Sequence, residues 1–285
     1  MIDLTTLTIR PFQTTDTTAV HTLSRLLTPE KTPYIDPQRT WVVVNGRFLA
    51  YLTLLPVPGL DGVFELEGGV HPQWQRQGIG SWLWTSIQAQ LNHTPIHQLS
   101  YCVTDMNSPT AHFLQKHGFT VEHEEWELIR PFLTNLPPVT DLPNVRSATF
   151  SNRNRAIKTF CTLYDNSFAT YPWYQPYTAA EVAATLATSQ DILFLRRDDI
   201  PIGFAWLHIE DGIGEIEPFG IVDAWQGHGY GRILLTAALH QLAQHGATSA
   251  QIGAWHNNAP ALHLYQSLGF QHTNTLTYLA LTLKK

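Results

Sequence analysis

The second half of the chain has apolar positions at two different spacings. Helical spacing predicts helices over residues 152–164, 178–187, 231–244 and 259–268. Alternating or continuous apolar runs predict strands over residues 192–195, 202–209, 215–222, 249–254 and 270–283. Thr178 followed three places later by Glu181 is typical of a capping box, and Gly269 of a helix C-terminus. The order β-α-α-β-β-β-α-β-α-β therefore predicts a mixed α/β unit.

The first half follows the same order more loosely. A hairpin is predicted over 41–44 and 49–55, a long strand over 63–70, helices over 79–91 and 109–116, and a strand over 99–103. Between the halves, Arg130 to Pro143 contains four prolines and no sustained periodicity, which predicts a semi-rigid connector. The chain of 285 residues is therefore divided into units 1–135 and 144–285, each long enough for its own core.

Several sequence features recur at one offset between the two halves. Gln75 and Gln226 are 151 residues apart. Further pairs with that offset are Trp74 and Trp225, Asn107 and Asn258, and Gly118-Phe119 and Gly269-Phe270. The openings Ile9-Arg10 and Val145-Arg146 are 136 apart, so the second unit contains roughly fifteen extra residues before its glycine loop. A constant offset over about forty residues indicates two homologous units.

A glycine-rich loop lies at the same place in both units, between a predicted strand and a predicted helix. The two copies are QRQGIG at 75–80 and QGHGYG at 226–231. Such a loop directs several backbone N–H groups into one small volume, and glycine lets an anion approach because no Cβ stands in the way. A single copy could equally be an ordinary tight turn. Two copies in matched contexts indicate a phosphate or pyrophosphate ligand.

Composition and charge limit the classes of partner. The chain is 44% hydrophobic, 14% charged and has a net charge of −6, with more acidic than basic residues in each half. Because it has no Lys/Arg cluster, nucleic acid and anionic membranes are not expected partners. No signal peptide or membrane span is predicted, so we expect a cytoplasmic protein. Cys102 and Cys161 lack metal-site spacing, the histidines are scattered, and no metal is expected.

The residues of the second unit resemble those of the GNAT acyl-CoA N-acyltransferases. The pyrophosphate loop of that family has the form Gln/Arg-x-x-Gly-x-Gly/Ala, as in Gln226-x-x-Gly229-x-Gly231. Its later Asn-x₆-Tyr-x₃-Gly-Phe segment is matched by Asn258, Tyr265 and Gly269-Phe270. Two such units resemble tandem GNAT proteins of the mycothiol synthase type. The resemblance implies an α/β fold in which each unit has a central mixed, largely antiparallel sheet flanked by helices.

Other phosphate-binding motifs fit these loops less well. A dinucleotide fingerprint requires a third glycine where this chain has Arg232, and an acidic residue about twenty positions later, where it has Gly246-Ala247-Thr248. A Walker loop requires Gly-Lys-Ser/Thr, which is absent from the sequence. Nicotinamide and nucleoside-triphosphate chemistry are therefore not expected.

The resemblance assigns catalytic roles in the second unit. The family's catalytic Glu often lies eleven positions before the loop Gln, which gives Glu215 as general base. Glu217 lies two residues further on the same strand face and is the alternative. Tyr265 occupies the general-acid position, although a core tyrosine would show the same spacing. Pro218 lacks an N–H and is expected to interrupt the sheet where the cofactor enters.

The same resemblance implies residues that hold coenzyme A. Phe219 would offer its N–H to the thioester carbonyl, and Ile221 and Val222 would pair with the pantetheine arm. The full set of implied cofactor residues is Phe219, Ile221, Val222, Gln226, Gly227, His228, Gly229, Tyr230, Gly231 and Asn258, with Gln75, Arg76, Gln77, Gly78, Ile79 and Gly80 in the first unit.

The first unit lacks both catalytic matches. Phe64 takes the place of Glu215, and Leu114 takes the place of Tyr265. Glu65 is one residue out of register, which puts it on the opposite strand face. We therefore interpret the first unit as catalytically degenerate, with a glycine loop that could still hold coenzyme A.

An aromatic segment follows the first predicted helix of the second unit. It contains Tyr164, Phe168, Tyr171, Trp173, Tyr174 and Tyr177. In the family this region commonly forms a wall of the acceptor site, where rings could hold a sugar, an aromatic amine or a cation. The alternative is that the rings fasten the two units together.

These observations predict an acetyl-CoA-dependent N-acetyltransferase. The acetyl group would pass to an amine of a small molecule or peptide by direct attack in a ternary complex, because neither motif contains a Cys that could carry it. A monomer and a homodimer are both compatible with the sequence. The alternative of a different class is a non-catalytic acyl-CoA sensor or interaction protein on the same scaffold.

Overall fold

The computed structural model describes residues 2–29, 34–91, 93–171, 174–186 and 191–283. These residues form two compact units. The first contains the chain up to Glu122 together with the residues from Tyr278 onward, and the second contains His123–Thr277. Among the described helices none is long and apolar enough to cross a membrane.

In the described residues, the first unit is a sheet with three α-helices. Its strands are β1 (Thr8–Pro11), β2 (Thr40–Val44), β3 (Phe48–Pro56), β4 (Val63–Val70) and β5 (Gln98–Val103). Its helices are α1 (Thr17–Leu27), α2 (Ile79–Leu91) and α3 (Pro109–Lys116). The strands follow the order β1-β2-β3-β4-β5, antiparallel except for the parallel pair β4-β5. Buried apolar side chains of β3, α2 and β5 form the main core of this unit.

The second unit repeats this plan with more elements. Its strands are β6 (Thr120–Arg130, of which the residues from His123 onward belong here), β7 (Val145–Ala148), β8 (Asp191–Arg197), β9 (Ile200–Glu210), β10 (Ile213–Ile221), β11 (Ser249–Trp255) and β12 (Gln271–Thr282, up to Thr277). Its helices are α4 (Arg153–Phe168), α5 (Ala179–Thr185), α6 (Tyr230–Gln244) and α7 (Ala259–Ser267). The strand order is β12-β6-β11-β10-β9-β8-β7, and β10-β11 is the parallel pair.

The last strand of each sequence repeat contributes residues to the other unit. At the offset of 151 residues, β6 in the first half corresponds to β12 in the second. Nevertheless β6 lies in the second unit, paired with β11 from Ala250↔Arg130 to Trp255↔Glu125. Conversely, Leu279 and Leu283 pack in the core of the first unit. Each unit therefore contains chain from both halves of the sequence.

Most predicted elements are present with shifts of a few residues at their ends. The Thr178–Glu181 capping box is confirmed, since each residue's side chain accepts the backbone N–H of the other. The β8-β9 hairpin turns at Asp198-Asp199, where both residues have positive φ, as such a tight turn requires. The residues predicted to close the fold form one strand, β12, and the end predicted for α5 at Ala187 lies outside the described residues.

Three elements had no predicted bounds, namely β1, α1 and β6, whereas β7 is the first strand of the order predicted for the second half. The proline-rich segment predicted to be a semi-rigid connector makes specific contacts with the second unit. Leu133 is buried in the second core, and its N–H donates to the Thr248 carbonyl at 2.9 Å. His240 bonds the Pro137 carbonyl at 2.9 Å. The connector therefore packs onto the second unit, because its leucines contribute apolar area that outweighs the absence of regular structure.

Candidate active site

Strands β10 and β11 separate partway along their length. Their parallel register runs through Ile213↔Ser249, Gly214↔Ala250 and Glu215↔Gln251 and then stops. Beyond that point β11 continues to pair with β6, and β10 with β9. The sheet thus opens between the two parallel strands, which leaves backbone groups facing a gap where a further extended chain could bind.

A bulge in β10 lies beside this opening. The register with β9 shifts between Ile216↔Leu207 and Phe219↔Ala205, so Glu217 and Pro218 have no register partner. Pro218 has no N–H to donate to β9, and the pairing is interrupted at this residue as predicted. The bulge re-aims the side chain of Glu217 relative to a regular strand.

The Glu217 carboxylate lies over strand β11 at Gly253. A Cβ on Gly253 would be 3.6 Å from Glu217 Cδ and only 3.2 Å from Glu217 Oε2. The second distance is shorter than an ordinary van der Waals contact. Gly253 therefore leaves the space that this carboxylate occupies. One side of Glu217 remains exposed to solvent, so a substrate can reach it.

Although Glu217 as a whole residue is exposed to solvent, the many protein atoms around its carboxylate desolvate that group and raise its pKa to about 7. Repulsion by three neighbouring carboxylates adds to the shift, in the order Glu125, Glu215, Glu127. Glu125 and Glu127 come from β6, which the sequence reasoning did not place here. A carboxylate with a pKa near neutrality is suited to accept a proton at physiological pH.

Glu215, the base implied by the family spacing, lies where β10 and β11 are still paired. It is opposite Gln251 in the parallel register and opposite His208 on β9. It is half-buried. Glu215 thus lies where β10 and β11 are still paired, and Glu217 lies where they have separated.

Tyr265 of α7 is buried, with 4% of its surface exposed. Its ring contacts Phe219 at a centroid distance of 6.1 Å and Phe270 at 6.0 Å. Burial raises the pKa of Tyr265 well above its usual range, and the negative charge of Glu217 raises it further. Tyr265 is therefore a protonated hydrogen-bond donor at neutral pH, within electrostatic range of Glu217.

The second glycine loop is an open cradle at the start of α6. Gly227 and Gly229 have φ of 77° and 81°, and a Cβ on either would meet no protein atom within 4 Å. Gly229 is the helix N-cap, and no side chain caps the helix there. The Gln226 side chain holds the loop by donating to the Ile221 carbonyl at 2.9 Å. Uncapped N–H groups beside empty space fit a pyrophosphate.

The first glycine loop has the same anchor. Gln75 donates to the Val70 carbonyl at 3.0 Å, which is the counterpart of Gln226 and Ile221. Arg76 replaces Gly227 and is held at a φ of 60°, a conformation that glycine adopts more easily.

The N-terminal segment covers this first loop. The Ile2 N–H donates to Gln77 Oε1 at 2.9 Å. A Cβ on Gly78 would lie 3.6 Å from Leu4 Cδ1, whereas the equivalent point at Gly229 is empty. The volume that is open in the second loop therefore contains an apolar side chain in the first.

The other implied cofactor residues have mixed surroundings. The Val222 N–H donates to the Ile202 carbonyl at 3.0 Å and so faces β9 rather than the gap. Asn258 is the N-cap of α7, where its side chain accepts the Ala261 N–H at 3.2 Å. His228 is exposed and stacks with Tyr230 at 5.9 Å.

The aromatic segment packs within the second unit. Tyr164 contacts Phe168 at 5.0 Å and Tyr177 at 4.8 Å, while Tyr171 meets Trp255 of β11 at 4.4 Å. Tyr174 donates to the Asp165 carboxylate at 2.5 Å. Trp173 lies outside the described residues. The charge of Glu217 contributes to the raised pKa of Tyr164 and of Tyr177, so these phenols border the site.

Sequence reasoning missed Glu125, Glu127 and Gly253 as site residues. The available signal was the alternation Glu125-Trp126-Glu127-Leu128, which is typical of a strand with one polar face. It predicts a strand but does not indicate which β-strand it pairs with.

Sequence models of known families match both halves of the chain. The model of the acetyltransferase (GNAT) family matches residues 157–270, and a GNAT acetyltransferase domain model matches residues 36–121. Together they account for more than half of the chain.

Similar proteins support the same assignment. A mycothiol acetyltransferase from a Nocardioides species is 27% identical over 261 residues, covering 84% of each chain. Another, from a Mycobacterium species, is 29% identical over 236 residues, covering 79% of this chain and 76% of its own.

Solved structures show the fold. A GCN5-related N-acetyltransferase from Sphaerobacter thermophilus has a TM-score of 0.70 at 16% identity, covering 98% of this chain and 96% of its own. A tandem GNAT protein from the clavulanic acid biosynthesis pathway has a TM-score of 0.69 at 17% identity, covering 98% and 99%. With family models on both repeats and the fold of a tandem GNAT protein, the chain belongs to the GNAT acetyltransferases and carries two of their domains in tandem.

Proposed function

We propose that the second unit transfers an acetyl group from acetyl-coenzyme A directly to the amine of a small molecule or peptide, in a ternary complex. The observation that carries this proposal is the position of the Glu217 carboxylate, which lies over Gly253 where the pairing of β10 and β11 has ended. The relatives' names make an amine related to mycothiol one candidate acceptor. Residues 144–285 are the proposed catalytic repeat and residues 1–135 the degenerate one.

Proton removal from the acceptor is the first requirement. An alkyl ammonium has a pKa of about 10.4, so at neutral pH nearly all of it is protonated and unreactive. Glu217 can take this proton directly or through water because its carboxylate is partly open to solvent and still ionises near neutrality. Glu215 remains the alternative base. It lies at the last paired position of β10 and β11, opposite Gln251.

The second unit also offers groups for the cofactor. Acetyl-coenzyme A supplies the thioester carbonyl that the amine attacks. The loop at Gly227 and Gly229 fits its pyrophosphate, since a Cβ would fill the volume that the phosphate oxygens require. Phe219 and Ile221 are the proposed backbone partners of the pantetheine arm, whereas the Val222 N–H already donates to Ile202 and leaves only the Val222 carbonyl for it.

Tyr265 is the proposed donor to the departing sulfur. A thiol has a pKa of about 8.5, below that of the buried phenol, so full proton transfer would be uphill. A hydrogen bond from the Tyr265 hydroxyl to the developing thiolate requires no such transfer and lowers its energy. The buried, protonated state of Tyr265 fits this role.

The activity is tested by measuring thiol release from acetyl-coenzyme A with a panel of amines. We expect turnover with at least one primary amine, a product that carries the acetyl group on nitrogen, and no acetylated enzyme during the reaction. Tight coenzyme A binding without turnover on any amine would favour the sensor, and a stable acetyl-enzyme would contradict direct transfer.

A second expectation concerns the number of cofactor sites. Leu4 Cδ1 would lie 3.6 Å from a Cβ on Gly78, beside the first loop, so calorimetry should detect one coenzyme A per chain. Leu4→Gly removes the side chain at Gly78 and is expected to raise the stoichiometry toward two. Leu4 lies in a short 3₁₀ turn with no strand pairing, so the substitution leaves the sheet intact.

The control for this measurement is Gly229→Val. The single variant should bind no coenzyme A, and the Leu4→Gly/Gly229→Val double variant should bind one. Two sites in the unmodified protein would show that the N-terminal segment does not exclude the cofactor from the first loop.

A further inference from the structure

One strand beside the site of the proposed base, the neighbour of β11, comes from the other half of the sequence. Strand β6 follows α3 as β12 follows α7, yet it pairs with β11 of the second unit. The site in the second unit is therefore built from more than the second repeat.

The register of β6 brings two of its carboxylates to the face of Glu217. Glu127 is paired opposite Gly253, and Glu125 is opposite Trp255. Paired residues of antiparallel strands share a face, and the Glu217 carboxylate lies over Gly253 on that face. Glu124 and Trp126 point to the other side of β6 because side chains alternate along a strand.

We infer that Glu125 and Glu127 are positioning residues that tune Glu217 as the proton acceptor of the transfer. The inference rests on the proposed function. It assigns the first repeat a part in the chemistry of the second, through the strand that it contributes.

The charges around Glu217 are mostly negative. Its neighbours are Glu125 and Glu127 on β6, Glu215 on β10, Tyr265 on α7, Tyr164 on α4 and Tyr177 before α5. Asn274 donates to Glu127 at 2.9 Å, and His123 lies 3.7 Å from Glu125. Within the described part of the chain, no Lys or Arg forms an ion pair with Glu127, Glu215 or Glu217. The charges of Glu127, Glu215 and Glu217 are therefore not balanced by a Lys or Arg partner among the described residues.

This arrangement favours the reaction. An isolated carboxylate with its usual pKa of 4.5 lies almost six units below an alkyl ammonium, so it takes the proton poorly. Negative neighbours disfavour the ionised form of Glu217 and raise its affinity for that proton. They also attract the cationic amine. The two effects are separable, because attraction alone changes KM at every pH and leaves the pKa of Glu217 unchanged.

The test is the pH dependence of kcat/KM in a Glu125→Gln/Glu127→Gln double variant. In the wild-type enzyme the rate should rise as Glu217 ionises near pH 7. Loss of two negative neighbours should move this rise to lower pH by roughly one unit, the usual scale of environmental shifts. High salt should move the wild-type profile in the same direction and the double variant less, since screening shortens the range of the repulsion.

Glu124→Gln is the matched control, because it removes a carboxylate from the adjacent position on the opposite face. We expect its profile to match the wild type. A double variant whose profile stays in place overturns the inference, as does a Glu124→Gln profile that shifts equally.

A carboxyl ¹³C NMR titration of Glu217 measures the same pKa without turnover. The resonance is identified by its absence in Glu217→Gln, and thermal melts establish that each variant is folded. An unshifted Glu217 titration in the double variant also overturns the inference. If no amine is acetylated but the titration shifts, the proposed function fails while the electrostatic tuning holds.

Discussion

Replacing Glu217 with Gln is expected to lower kcat/KM at neutral pH by about 10²–10⁴-fold, the usual loss for a general base. The amide keeps the shape of the side chain but cannot accept the ammonium proton. Part of the rate should return as pH rises toward 10, since free amine then forms without the enzyme. The measurement is a pH profile of both enzymes with one amine.

Glu215→Gln is the comparison that separates the two carboxylates. It should retain most activity if Glu217 is the base, because Glu215 lies where the strands are still paired. A nearly normal Glu217→Gln enzyme with an inactive Glu215→Gln enzyme would return the role to the residue implied by the family spacing.

Stability provides an independent control for the Glu217 variant. Its pKa is raised on folding, so the folded protein retains a proton on Glu217 that the unfolded chain releases above about pH 4.5. The free energy of unfolding should therefore fall between about pH 4.5 and 7 and stay lower above that range. Glu217→Gln removes this loss, so at pH 8 it should melt at a higher temperature than the wild type. An activity loss in a more stable protein cannot be ascribed to misfolding.

Gly229→Val is expected to abolish turnover, whereas Gly78→Val should retain most of it. A side chain at Gly229 would enter the volume where the pyrophosphate binds, and backbone amides cannot be moved aside. Gly78 faces Leu4 instead and contributes to a site that lacks the Glu and the Tyr of the second unit.

The two glycines form a matched pair because their φ angles are 81° and 88°. A β-branched residue at positive φ is strained by about 1–3 kcal/mol at either position. Folding costs should therefore be similar, and thermal melts measure them. A folded Gly78→Val protein without activity, beside an active Gly229→Val protein, would move catalysis to the first unit.

Local patterns predicted the elements around the first glycine loop. Strand β4, helix α2 and helix α3 have the predicted bounds, because apolar periodicity and glycine or proline at their ends are short-range signals. Counting residues back from Gln226 identified the strand that carries the acidic pair. Counting could not distinguish Glu215 from Glu217, since that choice depends on a bulge between Ile216 and Phe219 and on space provided by Gly253.

Contacts between distant residues were beyond the reach of pattern reasoning. Leu4 meets the loop at Gly78 through an apolar contact across more than seventy residues. Glu127 lies near Glu217 because β6 pairs with β11 of the other half of the sequence, opposite Gly253. Neither contact leaves a periodic trace in the sequence, because each depends on which surfaces the folded chain brings together.

The placement of Leu279 and Leu283 in the first core affects the order in which the protein is built. The Leu283 N–H donates to the His97 carbonyl at 2.9 Å. Strand β5 therefore pairs with a strand, β12, that is synthesised almost two hundred residues later. Closing so long a loop slows folding, because its entropy is lost before the contacts form. During synthesis, the unit that emerges first from the ribosome is therefore the last to be completed, and its unpaired β5 edge must stay soluble until then.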